Sequence, residues 1–160
     1  MANLVNIGLI GVGRWGRNYL KVFGELSSSK VKCICSTKES TLKEALINVK
    51  PKYNIKTATN YIDVLNDEDI DAVIIASSGS THYKISRDAL LHKKHVLVEK
   101  PVAFHAADVE ELIQISDRNK KILMAGHLHV YNPGIQKLRD DIIKNIFGKV
   151  NYIYMSHFGN

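Results

Sequence analysis

Residues 4–16 read Leu-Val-Asn-Ile-Gly-Leu-Ile-Gly-Val-Gly-Arg-Trp-Gly. Leu4 to Ile10 is an apolar run of strand length, and the rest is a G-x-G-x-x-G, Gly11-Val12-Gly13-Arg14-Trp15-Gly16. Behind it Trp15, Tyr19, Val22 and Phe23 recur on one helical face. A strand, three spaced glycines and a helix in direct succession give each glycine a separate task. Gly11 permits the tight turn, Gly13 lets the backbone approach a diphosphate, and Gly16 lets helix and strand pack closely. A diphosphate there would meet free backbone N–H groups and the positive end of the helix dipole. Trp15 is expected to pack under this loop. Arg14 is either a charge near the phosphates or a solvated helix residue, and the sequence leaves both readings open.

The same alternation continues outward. Val31 to Cys35, Ile55 to Ala58, Ala72 to Ala76, His95 to Val98 and Ile122 to Ala125 read as further strands. Between them Leu42 to Val49, Tyr61 with Val64 and Leu65, Ile85 with Ala89 and Leu90, and Val109 with Leu112 and Ile113 mark helix faces. Strands apolar on both faces, separated by helices, predict the α/β class with a doubly wound, mostly parallel sheet of Rossmann type. After Ala125 the pattern changes. Asn132-Pro133 is an N-cap followed by proline at the first helical position, and Ile135, Leu138, Ile142 and Ile146 continue one face until Gly148 stops the helix. Val150 to Met155 alternates like a half-buried strand. The expected division is a dinucleotide-binding domain over 1–124 and the incomplete start of a second, α+β domain over 125–160.

Composition narrows the function classes. The 45% apolar and 24% charged fractions are those of a folded soluble domain, and no run approaches the ~20 apolar residues of a membrane span. Met1-Ala2-Asn3 carries no basic region ahead of a short apolar run, so no signal peptide is read and a cytoplasmic protein is expected. The net charge of +6 comes from scattered lysines without a basic block, so no nucleic-acid partner is expected. Cys33 and Cys35, two apart on a strand, point the same way, which suits core residues and not a disulfide. Of the seven histidines, His92 and His95 straddle a helix-to-strand turn, while His127 and His129 would share a strand face if the last strand continued. Two ligands do not make a metal site, and no metal is expected.

The ends of the strands carry the remaining candidates, because ligands of open parallel sheets sit outside the carboxyl ends. After the second strand the chain reads Ser36-Thr37-Lys38. Hydroxyls with a cation suit a 2′-phosphate better than a diol, which favours NADP; a strand ending one or two residues away would bring Glu39 to the ribose, and NAD stays open. Strand His95 to Val98 runs into Glu99-Lys100-Pro101. A lysine there can hydrogen-bond a reacting oxygen and stabilise alkoxide charge, or it is an exposed loop lysine. Pro101 fixes the backbone and is a candidate for a cis bond. His127, just past the last sheet strand, is a candidate substrate contact. His82 either orients a cofactor amide or begins its helix.

These residues resemble the glucose–fructose oxidoreductase, inositol dehydrogenase and MocA (Gfo/Idh/MocA) family over essentially the whole chain. The resemblance rests on Gly11 to Gly16, on Ala76-Ser77-Ser78-Gly79-Ser80-Thr81-His82, on His95-Val96-Leu97-Val98-Glu99-Lys100-Pro101, and on Ala125-Gly126-His127 followed by Tyr131-Asn132-Pro133. It implies NAD(P)-dependent hydride transfer on sugars, cyclitols or nucleotide-sugars, with Lys100 contacting cofactor and substrate. Ser77 and His82 would lie in the loop around the nicotinamide side, and the segment from His127 to Asn132 would lead into the substrate domain. Two departures are visible. Ser77-Ser78 stands where many members have Thr-Pro, and the sequence ends where the second domain's first strand is expected. The 160-residue chain is therefore expected to hold the cofactor-binding half and to lack a complete catalytic site.

The resulting expectation is an NAD(P)-dependent oxidoreductase domain. Gly11, Gly13, Arg14, Trp15, Gly16, Ser36, Thr37, Lys38, Ser77, Ser78, His82, Glu99 and Lys100 would serve the cofactor. Lys100 would serve catalysis, and Lys100, His127 and Asn132 the substrate. The partner is a sugar-like small molecule, with no membrane, and pairing with a second copy is open. The alternative is a non-catalytic dinucleotide-binding module, a sensor or partner subunit on the same fold.

Overall fold

The computed structural model describes residues 4–49, 51 and 53–156. Met1-Ala2-Asn3 and the terminal Gly159-Asn160 lie outside the described residues. Six strands, β1 (Val5–Ile10), β2 (Ser29–Cys35), β3 (Lys56–Ala58), β4 (Ala72–Ile75), β5 (His95–Val98) and β6 (Leu123–Ala125), alternate with five helices. These are α1 (Arg14–Glu25), α2 (Glu39–Val49), α3 (Tyr61–Asn66), α4 (Gly79–Leu91) and α5 (Ala106–Asn119). All strand pairs are parallel, in the order β3-β2-β1-β4-β5-β6. The chain winds outward to β3, returns to lay β4 beside β1, and winds outward again to β6. That reversal opens a crevice at the carboxyl ends of β1 and β4.

Each sheet face buries its own core, which is why the strands are apolar on both sides. On one face Leu20 of α1 and Leu42 of α2 pack on Ile7, Leu9 and Val31. On the other, α3, α4 and α5 bring Val64, Ile85, Leu90 and Leu112 onto Val73, Ile75 and Val96. The two cysteines are free and buried on this second face, as their spacing predicts. Burial pushes both thiols up to about 11. Among the described residues no helix is long and apolar enough to cross a membrane.

The chain divides into two compact units, Met1–Gly126 and His127–Asn160. The second holds a short 3-10 helix (Leu128–Tyr131) and α6 (Pro133–Ile143). Asn132 caps α6 as predicted, its side-chain oxygen accepting from the N–H groups of Gly134 and Ile135 at 2.9 and 3.2 Å. Three expectations fail here. The helix stops at Ile143, short of Ile146 and Gly148, because Asn145 adopts φ +56° and the turn closes with Ile146 N–H on the Asp141 carbonyl and Asn145 N–H on the Ile142 carbonyl. Asparagine, with a short side chain that tolerates the left-handed region, has taken the place expected for glycine. Val150 to Met155 forms no strand: these residues are exposed and no described strand pairs with them. His127 and His129 share no strand face, since they lie at the start of and within the 3-10 helix.

Candidate functional site

The turn after β1 is built around the three glycines. Gly11 has φ +92°, and a Cβ there would stand 2.5 Å from the Ser77 nitrogen and 2.6 Å from the Ala76 carbonyl atoms. Only glycine fits, because the loop after β4 passes directly beneath. A Cβ on Gly16 would lie 2.0 Å from the Gly11 carbonyl oxygen, so α1 closes on the turn itself. Gly13 is different: nothing stands within 4 Å of its missing Cβ. Its role concerns whatever approaches from outside. Gly13 is also the N-cap of α1, with no side-chain cap and no acidic residue in the first turn. The first amides of a helix have no intrahelical acceptor, and here they face the place where an anion is best accommodated.

A cavity of about 720 Å³ opens beside this turn, within the range of ligand pockets. Gly11 and Gly13 line it with Ser36 and Thr37 from the end of β2 and with Ser77 and Ser78 from the end of β4. Those six were expected. Ser77 and Thr81 hydroxyls lie 2.8 Å apart, and Thr81 donates to the Ser78 carbonyl at 2.7 Å, so Ser77 donates to Thr81 and the β4 loop is held in one shape. The lining also includes Thr41, Thr59, Asn60, Tyr61, Thr81 and Lys84, which sequence reasoning missed. Asn60 had a visible signal: it caps α3 by accepting from the Ile62 N–H at 3.1 Å, which puts it at the carboxyl end of β3. Among the described residues lining the cavity, Lys84 is the one cation and none is Asp or Glu. Lys84 donates to the Tyr61 hydroxyl and to Asp88 at 2.6 and 2.9 Å, and these bonds push its ammonium up to about 12.

The other candidates lie outside that lining. Arg14 is exposed. Trp15 is 44% exposed and so does not pack under the loop as expected, because α1 turns this residue outward while Gly16 occupies the close contact. Lys38 is exposed, its backbone nitrogen 3.4 Å from the Ser36 hydroxyl. Glu39 begins α2 and lines a separate cavity of about 680 Å³ at the β3 edge. His82 is 2% exposed, and its ring nitrogens lie 2.7 and 3.0 Å from the carbonyl oxygens of Pro101 and Ser77. The ring lies between the two loops; since a carbonyl only accepts, a neutral ring donates to one of them and its tautomer decides which. Glu99 is buried as well, while Lys100 beside it is exposed and precedes a cis bond to Pro101. In the second unit His127 is exposed, and the Asn132 side-chain oxygen is committed to its helix cap.

Residues 5–127 match the family described as oxidoreductase family, NAD-binding Rossmann fold. The inositol 2-dehydrogenase of Salmonella paratyphi B is 29% identical over 155 residues, covering 94% of this chain and 45% of that protein. A myo-inositol dehydrogenase from Lactobacillus casei, solved with NAD(H) and myo-inositol, superposes with a TM-score of 0.82 at 25% identity, over 91% of this chain and 43% of that one. A 3-ketoreductase from Actinomadura kijaniata, solved with NADP, shares the fold at a TM-score of 0.81 and 22% identity, over 92% of this chain and 46% of its own. The chain spans less than half the length of these relatives.

Proposed function

The chain belongs to the Gfo/Idh/MocA oxidoreductase family, and from that premise we propose that it holds a nicotinamide dinucleotide, preferentially NADP, for hydride transfer with a sugar, cyclitol or nucleotide-sugar. The observation that carries this reading is the cavity where β1, β2 and β4 end, lined by Gly13, whose missing Cβ would have open space around it. The residues present fit the group. The open side of Gly13 and the uncapped first turn of α1 would hold the diphosphate. Ser36 and Thr37, with Lys38 beside them, would receive a 2′-phosphate. Support for the phosphate over a plain ribose comes from Glu39, which lines a different cavity and leaves this lining free of carboxylates.

When bound, the dinucleotide supplies or accepts the hydride. Lys100, exposed at the carboxyl end of β5, donates a hydrogen bond to the reacting oxygen and offsets the negative charge that grows there. We take residues 125–160 as the beginning of the substrate domain, with His127 as a substrate contact. Trp15, the single tryptophan, stands in the first turn of α1, next to the glycines proposed to hold the diphosphate, and serves as the reporter. Titration with NADPH is expected to quench its emission saturably with energy transfer to the nicotinamide, at lower concentration than with NADH. Absence of saturable quenching by either coenzyme contradicts the proposal, and equal affinities contradict the 2′-phosphate reading.

A further inference from the structure

Glu99 is 5% exposed at the end of β5. Packing alone does not call for a carboxylate there, since removing one from water is costly unless its oxygens are satisfied. Both are satisfied, by different parts of the fold. Oε1 accepts from the Tyr19 hydroxyl at 2.6 Å, and Oε2 accepts from the backbone N–H of Lys100 at 3.2 Å. Tyr19 belongs to α1, the helix whose first turn forms the cradle. Gly126, just past β6, closes the third side: a Cβ there would stand 3.2 Å from both Glu99 Oε1 and the Tyr19 hydroxyl oxygen. Burial, then the hydrogen bond and charge of Glu99, hold the Tyr19 phenol above its ordinary value, so it stays a donor through the neutral range. Beyond Lys100, the buried His82 ring is wedged between the Pro101 carbonyl at 2.7 Å and the Ser77 carbonyl at 3.0 Å, donating to one of them. The main chain around Lys100 is therefore gripped on both sides while its side chain stays free.

We infer that Glu99, held by Tyr19, is a positioning residue for Lys100, and that this pair transmits occupancy of the α1 N-terminus to the lysine. The inference rests on the proposed role of Lys100. Glu99 is thus assigned a supporting task in place of the direct cofactor contact expected from sequence. Two independent removals are available. Tyr19→Phe deletes the phenol donor and keeps the ring. Glu99→Gln keeps the shape and one acceptor and deletes the charge.

The test uses the whole chain with two readouts at Lys100: hydrogen exchange of its backbone amide without ligand, and the resonance of its 13C-methylated side chain during NADP⁺ titration. Both variants are expected to bind NADP⁺ within about threefold of the parent, because neither residue lines the cavity. Amide exchange at Lys100 is expected to quicken roughly tenfold, as a charge-assisted bond is weakened. The NADP⁺-induced shift of the Lys100 methyl signal, present in the parent, is expected to disappear in both. Unchanged amide protection in Tyr19→Phe, or a Lys100 response retained in full, overturns the inference. If Glu99→Gln does not fold, Tyr19→Phe decides alone. If the parent does not bind NADP⁺, the proposed function fails, while the exchange readout still decides whether the pair holds Lys100.

Discussion

Replacing Gly11 by alanine and, separately, Gly13 by alanine is expected to damage two different properties of the protein. At Gly11 the backbone sits at φ +92°, where an L-residue pays roughly 1–2 kcal/mol. The new methyl would also meet main-chain atoms at 2.5 and 2.6 Å, which cannot swing aside as a side chain can, adding about 1–3 kcal/mol of overpacking. Together these give a loss of about 2–5 kcal/mol, a large share of the ~5–15 kcal/mol of a typical domain. At Gly13 φ is −68° and the space is open. Alanine there restricts the unfolded chain and is expected to leave stability unchanged or raise it by about 0.4–1 kcal/mol. Its methyl, however, occupies the approach assigned to the diphosphate, and NADPH affinity is expected to fall at least about tenfold, or ~1.4 kcal/mol. Urea denaturation followed by circular dichroism reads the first property at constant m-value, and NADPH titration reads the second. The reasoning is refuted if Gly13→Ala unfolds as readily as Gly11→Ala, or if it binds NADPH with parental affinity.

Other consequences are open to direct measurement. Burial, and then the Lys121 charge, hold the His95 imidazole below its ordinary 6.5, against an opposing pull from Asp71. Its Nδ1 accepts from the Ile122 N–H at 3.1 Å and cannot do so once protonated. Below pH 6.5 the unfolded chain takes up a proton that the folded one resists, so the stability present above 6.5 is lost as pH falls toward the folded value; His95→Asn is expected to flatten that limb, and an unchanged limb removes His95 as its source. Cys33 and Cys35 are expected to resist a thiol reagent in the native protein and to react once urea unfolds it; prompt native labelling would contradict their burial. Replacing Ser36 and Lys38 together by alanine is expected to weaken NADPH binding severalfold and leave NADH binding nearly unchanged, and an equal loss for both coenzymes would move the 2′-phosphate site elsewhere. Lys100→Ala is expected to leave NADPH affinity nearly unchanged, read by the same titration, because its side chain does not line the cavity.

Where chemistry and spacing act locally, the sequence is a sufficient guide. Gly16 is dictated by the Gly11 carbonyl five residues earlier, the spacing of the glycines marks the turn even though Gly11 itself is crowded by the distant Ala76 and Ser77, and the apolar runs become parallel strands because each is covered on both faces. Ser36, Thr37, Ser77 and Ser78 line one cavity, where the topological rule that ligands meet the carboxyl ends of strands directs attention. The misses have a common physical origin in three-dimensional partners. Tyr61 and Lys84 join the cavity through a bond between α3 and α4, and neither carries a motif. Glu99 and His82 carry no sequence signal for their buried protein partners, which lie at Tyr19, 80 residues from Glu99, and at Pro101, 19 residues from His82. Trp15 was read as packed under the loop, but the close approach of α1 to the turn falls on its neighbour Gly16, and Trp15 is left 44% exposed. Val150 to Met155 has the alternation of a strand, and alternation alone forms no ladder without a neighbouring strand to receive its hydrogen bonds.

The cavity beside Gly13 is the proposed seat of a nicotinamide dinucleotide. Backbone amide mapping during NADP⁺ titration locates that seat residue by residue. Saturable shifts are predicted at Gly13, Arg14, Trp15 and Gly16, at Ser36 and Thr37, and at Ser77 and Ser78, with a single affinity across all of them. Shifts that fail to saturate, or that gather around Lys56, Asp63 and Asp67 at the β3 edge, would contradict it.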